Sequence, residues 1–205
     1  MMSRLTGVAW VRPTLRLIPW WGLLLPAGLS GLVGLLVRLA GGAVPDQVGV
    51  AALAAMAAAA PQVLEDPARD LLSAIPQSRR RRVGHRLVLL LPVLLVAWVL
   101  LAPLVVDPRE SAGLSVGPLL ALAAIGLSAG CLAGRVLPGL AAPLGTAIPL
   151  GVVAIRLVLA DRVTRSDILD VWIDFPWATT AVAGLVCVVS LREARLPGFR
   201  PARAT

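Results

Sequence analysis

Two serines sit in glycine-flanked settings that can present a nucleophile: Gly28-Leu29-Ser30-Gly31 and Gly126-Leu127-Ser128-Ala129-Gly130. Small neighbours let a substrate approach such a hydroxyl, but a serine attacks only when a base within reach takes its proton. The one histidine, His85, follows four consecutive arginines, Arg79 to Arg82, at the start of an apolar run. That position is a membrane surface, whereas Ser30 falls well inside another apolar run, so serine hydrolysis is a poor fit and no catalytic residue is assigned. Gly126, Gly130 and Gly134 recur at every fourth position, the spacing that lets two membrane helices approach closely. A single histidine leaves no histidine-based metal site. Cys131 and Cys187 lie in apolar stretches without ligand spacing and read as small hydrophobes, so no metal is expected. All 19 basic side chains are arginine. Without lysine there is no Gly-Lys-Ser/Thr phosphate loop, so the chain is not expected to be an enzyme or to carry a cofactor of its own.

The elements that position these residues are almost entirely apolar. The 205 residues are 58% hydrophobic and 15% charged, against about 25% charged in a typical soluble domain. Several blocks approach or exceed the roughly 20 residues a helix needs to cross a bilayer. The expected fold is an all-α integral membrane protein, a single transmembrane domain over 1–205 with six transmembrane helices. They run from about Trp20 to Val37, Val48 to Leu64, Leu87 to Val106, Val116 to Gly134, Leu137 to Ala160 and Trp177 to Leu191. With the N-terminus inside, fourteen of the 19 arginines fall on the inner side with four acids, and seven acids fall outside. Arginine excess marks the cytoplasmic face, so residues 1–19 and the tail 192–205 are both expected in the cytoplasm. The net charge of +8 is thus a matter of topology rather than of nucleic acid. Trp20, Trp21, Trp172 and Trp177 fall near span ends, where indoles favour the headgroup layer. The abundance of Ala, Leu, Val and Arg suits a bacterial cytoplasmic (inner) membrane.

The most charged stretch is EDPARDLLSAIPQSRRRR, Glu65 to Arg82. Asp66 suits an N-cap and Pro67 the first helical position. Leu64, Ala68, Leu71, Leu72 and Ile75 then share one side at helical spacing, and Pro76 ends the helix. The arginines alone are a positive-inside signal resting on anionic lipid headgroups. The capped amphipathic helix before them suggests docking into a groove on a partner.

Glu65, LLSAIPQSRRRR and the following VGHRL resemble the cytoplasmic segment of ABC-type-2 exporter permeases, which lies between the second and third of six spans. Glu65 is followed here by Asp66-Pro67, where the family more often has a Gly-Thr-like turn, and the arginines are unusually dense. The resemblance implies a coupling helix over 65–78 that fits a separate ABC ATPase subunit through Glu65, Arg69, Leu71, Leu72, Ser73, Ile75 and Pro76. It also implies a second permease subunit, identical or different, with ATP and Mg on the partner ATPase. Between the fifth and sixth spans, residues 161–176 form an expected extracellular helical loop, re-entrant or merely interfacial. Ile168, Leu169, Trp172 and Ile173 make its apolar side, and Asp167, Asp170 and Asp174 its wet side.

No Asp or Glu lies well within an expected span, which argues against a proton-driven carrier. Arg156 is the exception among charges. It either snorkels to the headgroups, beside Asp161, or meets an anionic group of a substrate. Arg156, Ile168 and Trp172 are therefore the candidate substrate or gate residues. Pro138, Pro143 and Pro149 mark the fifth span as kinked or broken. The reading is the permease subunit of an ATP-driven exporter for an apolar or amphiphilic substrate. The alternative is a non-transporting polytopic membrane protein, such as an assembly factor or a sensor partner.

Overall fold

The structure, a computed structural model, describes residues 20–65, 79–106, 116–137, 139–159 and 167–191. Among these residues every regular element is a helix. They are α1 (Trp21–Leu39), α2 (Asp46–Ala57) with a following 3-10 turn (Ala60–Leu64), α3 (Arg79–Val105), α4 (Val116–Val136), α5 (Ala141–Leu159), α6 (Asp167–Asp174) and α7 (Pro176–Leu191). Five segments are long and apolar enough to cross a bilayer: Trp21–Leu39, Asp46–Leu64, Arg82–Val105, Val116–Val136 and Ala141–Leu159. The sixth expected crossing, α7, is a helix of 16 residues, about 24 Å at 1.5 Å per residue.

Local chemistry explains several boundaries. Pro45 precedes α2, and Asp46 places a carboxylate in its first turn, where the helix dipole favours it. Pro61 falls at the start of the 3-10 turn and cannot donate back to an α-helical carbonyl, so the helix tightens there. Pro176 opens α7, a position where proline removes no helical hydrogen bond. Gly41 (φ 75°) and Gly139 (φ 103°) take the left-handed conformation that reverses the chain after α1 and after α4. Pro149 lies inside α5, yet α5 is one continuous helix from Ala141 to Leu159.

The outer surface is apolar as well as the core. Asp46–Leu64 is 72% buried and α4 61% buried, whereas α1 is only 11% buried. The large aliphatic side chains of the outer helices point away from the protein, among them Leu24, Leu32 and Leu36 of α1 and Val96, Val99 and Leu100 of α3. An outward leucine face, with small residues at the centre, is the pattern of a multi-pass membrane protein. There the apolar effect does not draw helices together, and close van der Waals packing does.

The central contact is a glycine seam. A Cβ added at Gly126 would sit 2.8 Å from the Gly145 carbonyl oxygen and 2.9 Å from Cγ of Pro61. One at Gly130 would sit 2.5 Å from the Ala141 carbonyl oxygen and 2.6 Å from Cδ1 of Leu64. The seam thus joins α4, α5 and the 3-10 turn with less than a methyl group of clearance. Gly134, the third glycine of the repeat, is also buried. Helix α1 meets α3 in the same way, with Gly34 against the Leu104 carbonyl.

Helix α7 packs most closely on α4. Cys187 meets Cys131, and Arg135 reaches Val189 and Ser190 one turn further on, so the two helices run parallel with their ends level.

Gly130→Ala is expected to lower stability by about 1–3 kcal/mol, the usual cost of overpacking. Gly28→Ala, inside α1 at a position with nothing within 4 Å, should instead raise it by about 0.5–1 kcal/mol, the helix-propensity gain of alanine over glycine. Thermal unfolding of both variants in the same nanodisc checks the contrast.

Candidate functional site

The base of the charged segment is held by an arginine. Glu65 is the last described residue before it and is exposed. Arg69, Leu71, Leu72, Ser73, Ile75 and Pro76 lie outside the described residues. Near the start of α3, Arg86 is only 3% exposed. Its Nη1 donates to the carbonyls of Glu65 at 2.5 Å and Val63 at 3.4 Å. These are end carbonyls of the 3-10 turn, which lack helical partners of their own. The end of the 3-10 turn, from which the segment leaves, is thus fastened to α3 two turns above its start by a buried guanidinium.

The outer residues form a second cluster. Arg156 Nε donates to Asp170 Oδ1 at 2.7 Å, with both side chains partly buried. The ion pair turns Asp170, expected on the wet side of its helix, toward α5; Asp161 lies outside the described residues. Eight-residue α6 packs on α4 and α7. Trp172 is 3% exposed, so its indole is a core group rather than a headgroup anchor. Its Nε1 is buried and has no hydrogen-bond partner among the described residues. Ile168 belongs to α6, but its side chain lies outside the described residues. The structure therefore brings Arg156 to the helix that carries Trp172, but through Asp170.

A third feature has no counterpart among the sequence expectations. A groove of about 850 Å³ runs along α2 between α1 and α5, within the range of about 300–1,000 Å³ of small-molecule sites. Its floor is Val48, Ala51, Ala55 and Ala58, with Leu25 and Leu29 on one wall and Leu150 on the other. Polar groups are few: Ser30, Gln47, Gln62 and Thr146. Thr146 donates to the Ala58 carbonyl at 3.2 Å, and Gln62 lies against Gly22 so closely that a Cβ there would collide with its amide. The signal in the sequence is the alanine spacing 51, 55, 58, which puts small side chains on one helical face and leaves a trough.

The serines hold no activated arrangement. Ser128 Oγ donates to the Ile125 carbonyl of its own helix at 2.8 Å, and Ser30 lines the groove. Among the described residues no three His, Cys, Asp or Glu side chains converge as a metal site. Compared with protein-family models, with curated proteins and with solved structures, the chain matches none.

Arg86→Met keeps much of the volume but removes both hydrogen bonds. It should cost about 1.5–3 kcal/mol, the range for hydrogen bonds to a charged group, with Arg86→Lys recovering part of the loss in the same unfolding assay. A double-mutant cycle of Arg156→Gln with Asp170→Asn should give a coupling of about 1 kcal/mol, as for a partly exposed pair.

Proposed function

We propose that the chain is the permease subunit of an ATP-driven exporter, a six-span protein of the bacterial cytoplasmic membrane with both termini in the cytoplasm. The observation that carries this reading is the buried Arg86 clamp at the base of the 66–78 segment. A segment that serves only as a topological signal needs no such fixing. One that receives a push must have both ends tied to the helices it is to move.

The separate ATPase would supply ATP and Mg chemistry and draw the segment inward or outward through Leu71, Leu72, Ser73, Ile75 and Pro76. Those residues transmit force and catalyse nothing. The displaced element would be the end of α2 and the start of α3. Helix α2 touches α1, α3, α4 and α5, so its tilt changes the groove and the seam together. The apolar groove supports an apolar or amphiphilic substrate that enters from the lipid side. The parallel pairing of α4 and α7 supports α7 as the sixth crossing, because both helices then end on the cytoplasmic side with the arginine-rich loops. A second permease subunit would complete the path, facing lipid on its remaining sides.

The test is purification in nanodiscs with identification of what co-purifies. A stoichiometric P-loop ATPase is expected, reduced about tenfold or more by Leu72→Asp and by Ile75→Asp, the effect of losing an interface hot spot. A folded chain that brings no ATPase would sink the exporter reading and leave the non-transporting membrane protein in its place.

A further inference from the structure

Cys131 of α4 and Cys187 of α7 face each other with their sulfurs 3.2 Å apart. Neither is in a disulfide, and both are buried, 3% and 7% exposed, at positions 56 residues apart in sequence. A disulfide needs a sulfur separation of about 2.05 Å, so a shift of roughly 1 Å, within the reach of small side-chain rotations, closes the gap. One turn further along, Arg135 donates to the carbonyls of Val189 at 2.7 Å and Ser190 at 2.9 Å. Those bonds fix the register of α7 on α4, and with it the meeting of the two sulfurs. Packing alone calls for small apolar groups here, as alanine supplies elsewhere along α2 and α4. Two thiols in contact across two helices add a reaction that alanine lacks.

We propose that Cys131 and Cys187 are an oxidative modification site, a dithiol that closes to an intramolecular disulfide and staples α7 to α4. Two S–H bonds break and one S–S bond forms; the two protons and two electrons pass to a quinone, which leaves as hydroquinone. The surroundings select that class of oxidant. Val182, Leu185 and Val189 make the outer side of α7 apolar and exposed, so the reagent that reaches the pair is one dissolved in an apolar phase rather than a charged thiol buffer such as glutathione. The bridge joins an outer helix to a central one and removes sliding between them. The proposal stands on packing alone and does not depend on the exporter reading.

The full-length chain in nanodiscs is treated with a fully substituted benzoquinone, which cannot add thiols to its ring. It is then denatured, alkylated and digested. The expected product is one peptide pair joined through Cys131 and Cys187, lighter by two hydrogens, restored to free thiols by a phosphine and absent in Cys131→Ser and Cys187→Ala. Oxidation should also slow amide exchange across Pro176–Leu191 by about tenfold or more, as tethering raises the local opening free energy. Arg135→Gln should slow closure several-fold while leaving both thiols in place. Two alkylatable thiols in the quinone-treated wild-type chain would overturn the site, as would bridges that join two chains. A bridge that leaves exchange in α7 unchanged would overturn the staple.

Discussion

The architecture depends on satisfying the carbonyls at helix C-termini. The last turn of any helix leaves four carbonyls without partners inside the helix. Arginines on neighbouring helices supply partners here. Arg38 at the end of α1 donates to Leu104 and Val106 at the end of α3. Arg86 at the start of α3 serves the turn after α2, and Arg135 at the end of α4 serves the end of α7. Hydrogen bonds to a charged group contribute about 1.5–3 kcal/mol each, and cations favour the negative pole of the helix dipole as well. Each bond also fixes which helix ends lie side by side, so three arginines specify much of the topology.

Small residues then set the distance between helices. Gly126, Gly130 and Gly145 bring α4, α5 and the 3-10 turn into backbone contact, and Gly34 does the same for α1 on α3. The same economy of volume makes the groove. Ala54 and Ala57 are fully buried and let α2 sit at the centre of the protein, whereas Ala51, Ala55 and Ala58 line the face between α1 and α5 and leave space unfilled. A larger side chain at Ala51 or Ala55 would fill the trough, and one at Ala54 or Ala57 would force the helices apart. Central packing and a lateral apolar site are thus two results of one composition.

The helices were legible in the sequence because apolar runs of bilayer length admit few other folds; the expected limits fall within a few residues of α1, α4 and α5, whereas α3 begins at Arg79, eight residues before the expected Leu87, and the second span gives up its α-helix at Ala57 and reaches Leu64 as a 3-10 turn. The glycine repeat was legible for a similar reason, since its spacing has a geometric meaning. The work of the arginines was not. Counting Arg38, Arg86 and Arg135 by side of the membrane uses their charge, whereas their bonds go to backbone carbonyls, which every residue carries and no residue type reveals. The pairing of Arg156 with Asp170 was hidden by chain distance, because fourteen residues separate them and the orientation of α6 brings them together. Periodicity did place Trp172 on the apolar side of α6. Whether that side met lipid or protein depended on α4 and α7, which periodicity within α6 does not encode.

The clamp and the seam share one element, and this bears on how a displacement would travel. The 3-10 turn Ala60–Leu64 ends at the carbonyls that Arg86 holds, and its Pro61 and Leu64 face Gly126, Gly130 and Gly145. Clearances there are below a methyl group, so the turn cannot move far without α4 or α5 moving with it. Packed interiors respond to such displacement by switching between discrete arrangements rather than by yielding gradually. Among the described residues, a displacement of the turn is therefore shared by α4 and α5 rather than absorbed within it.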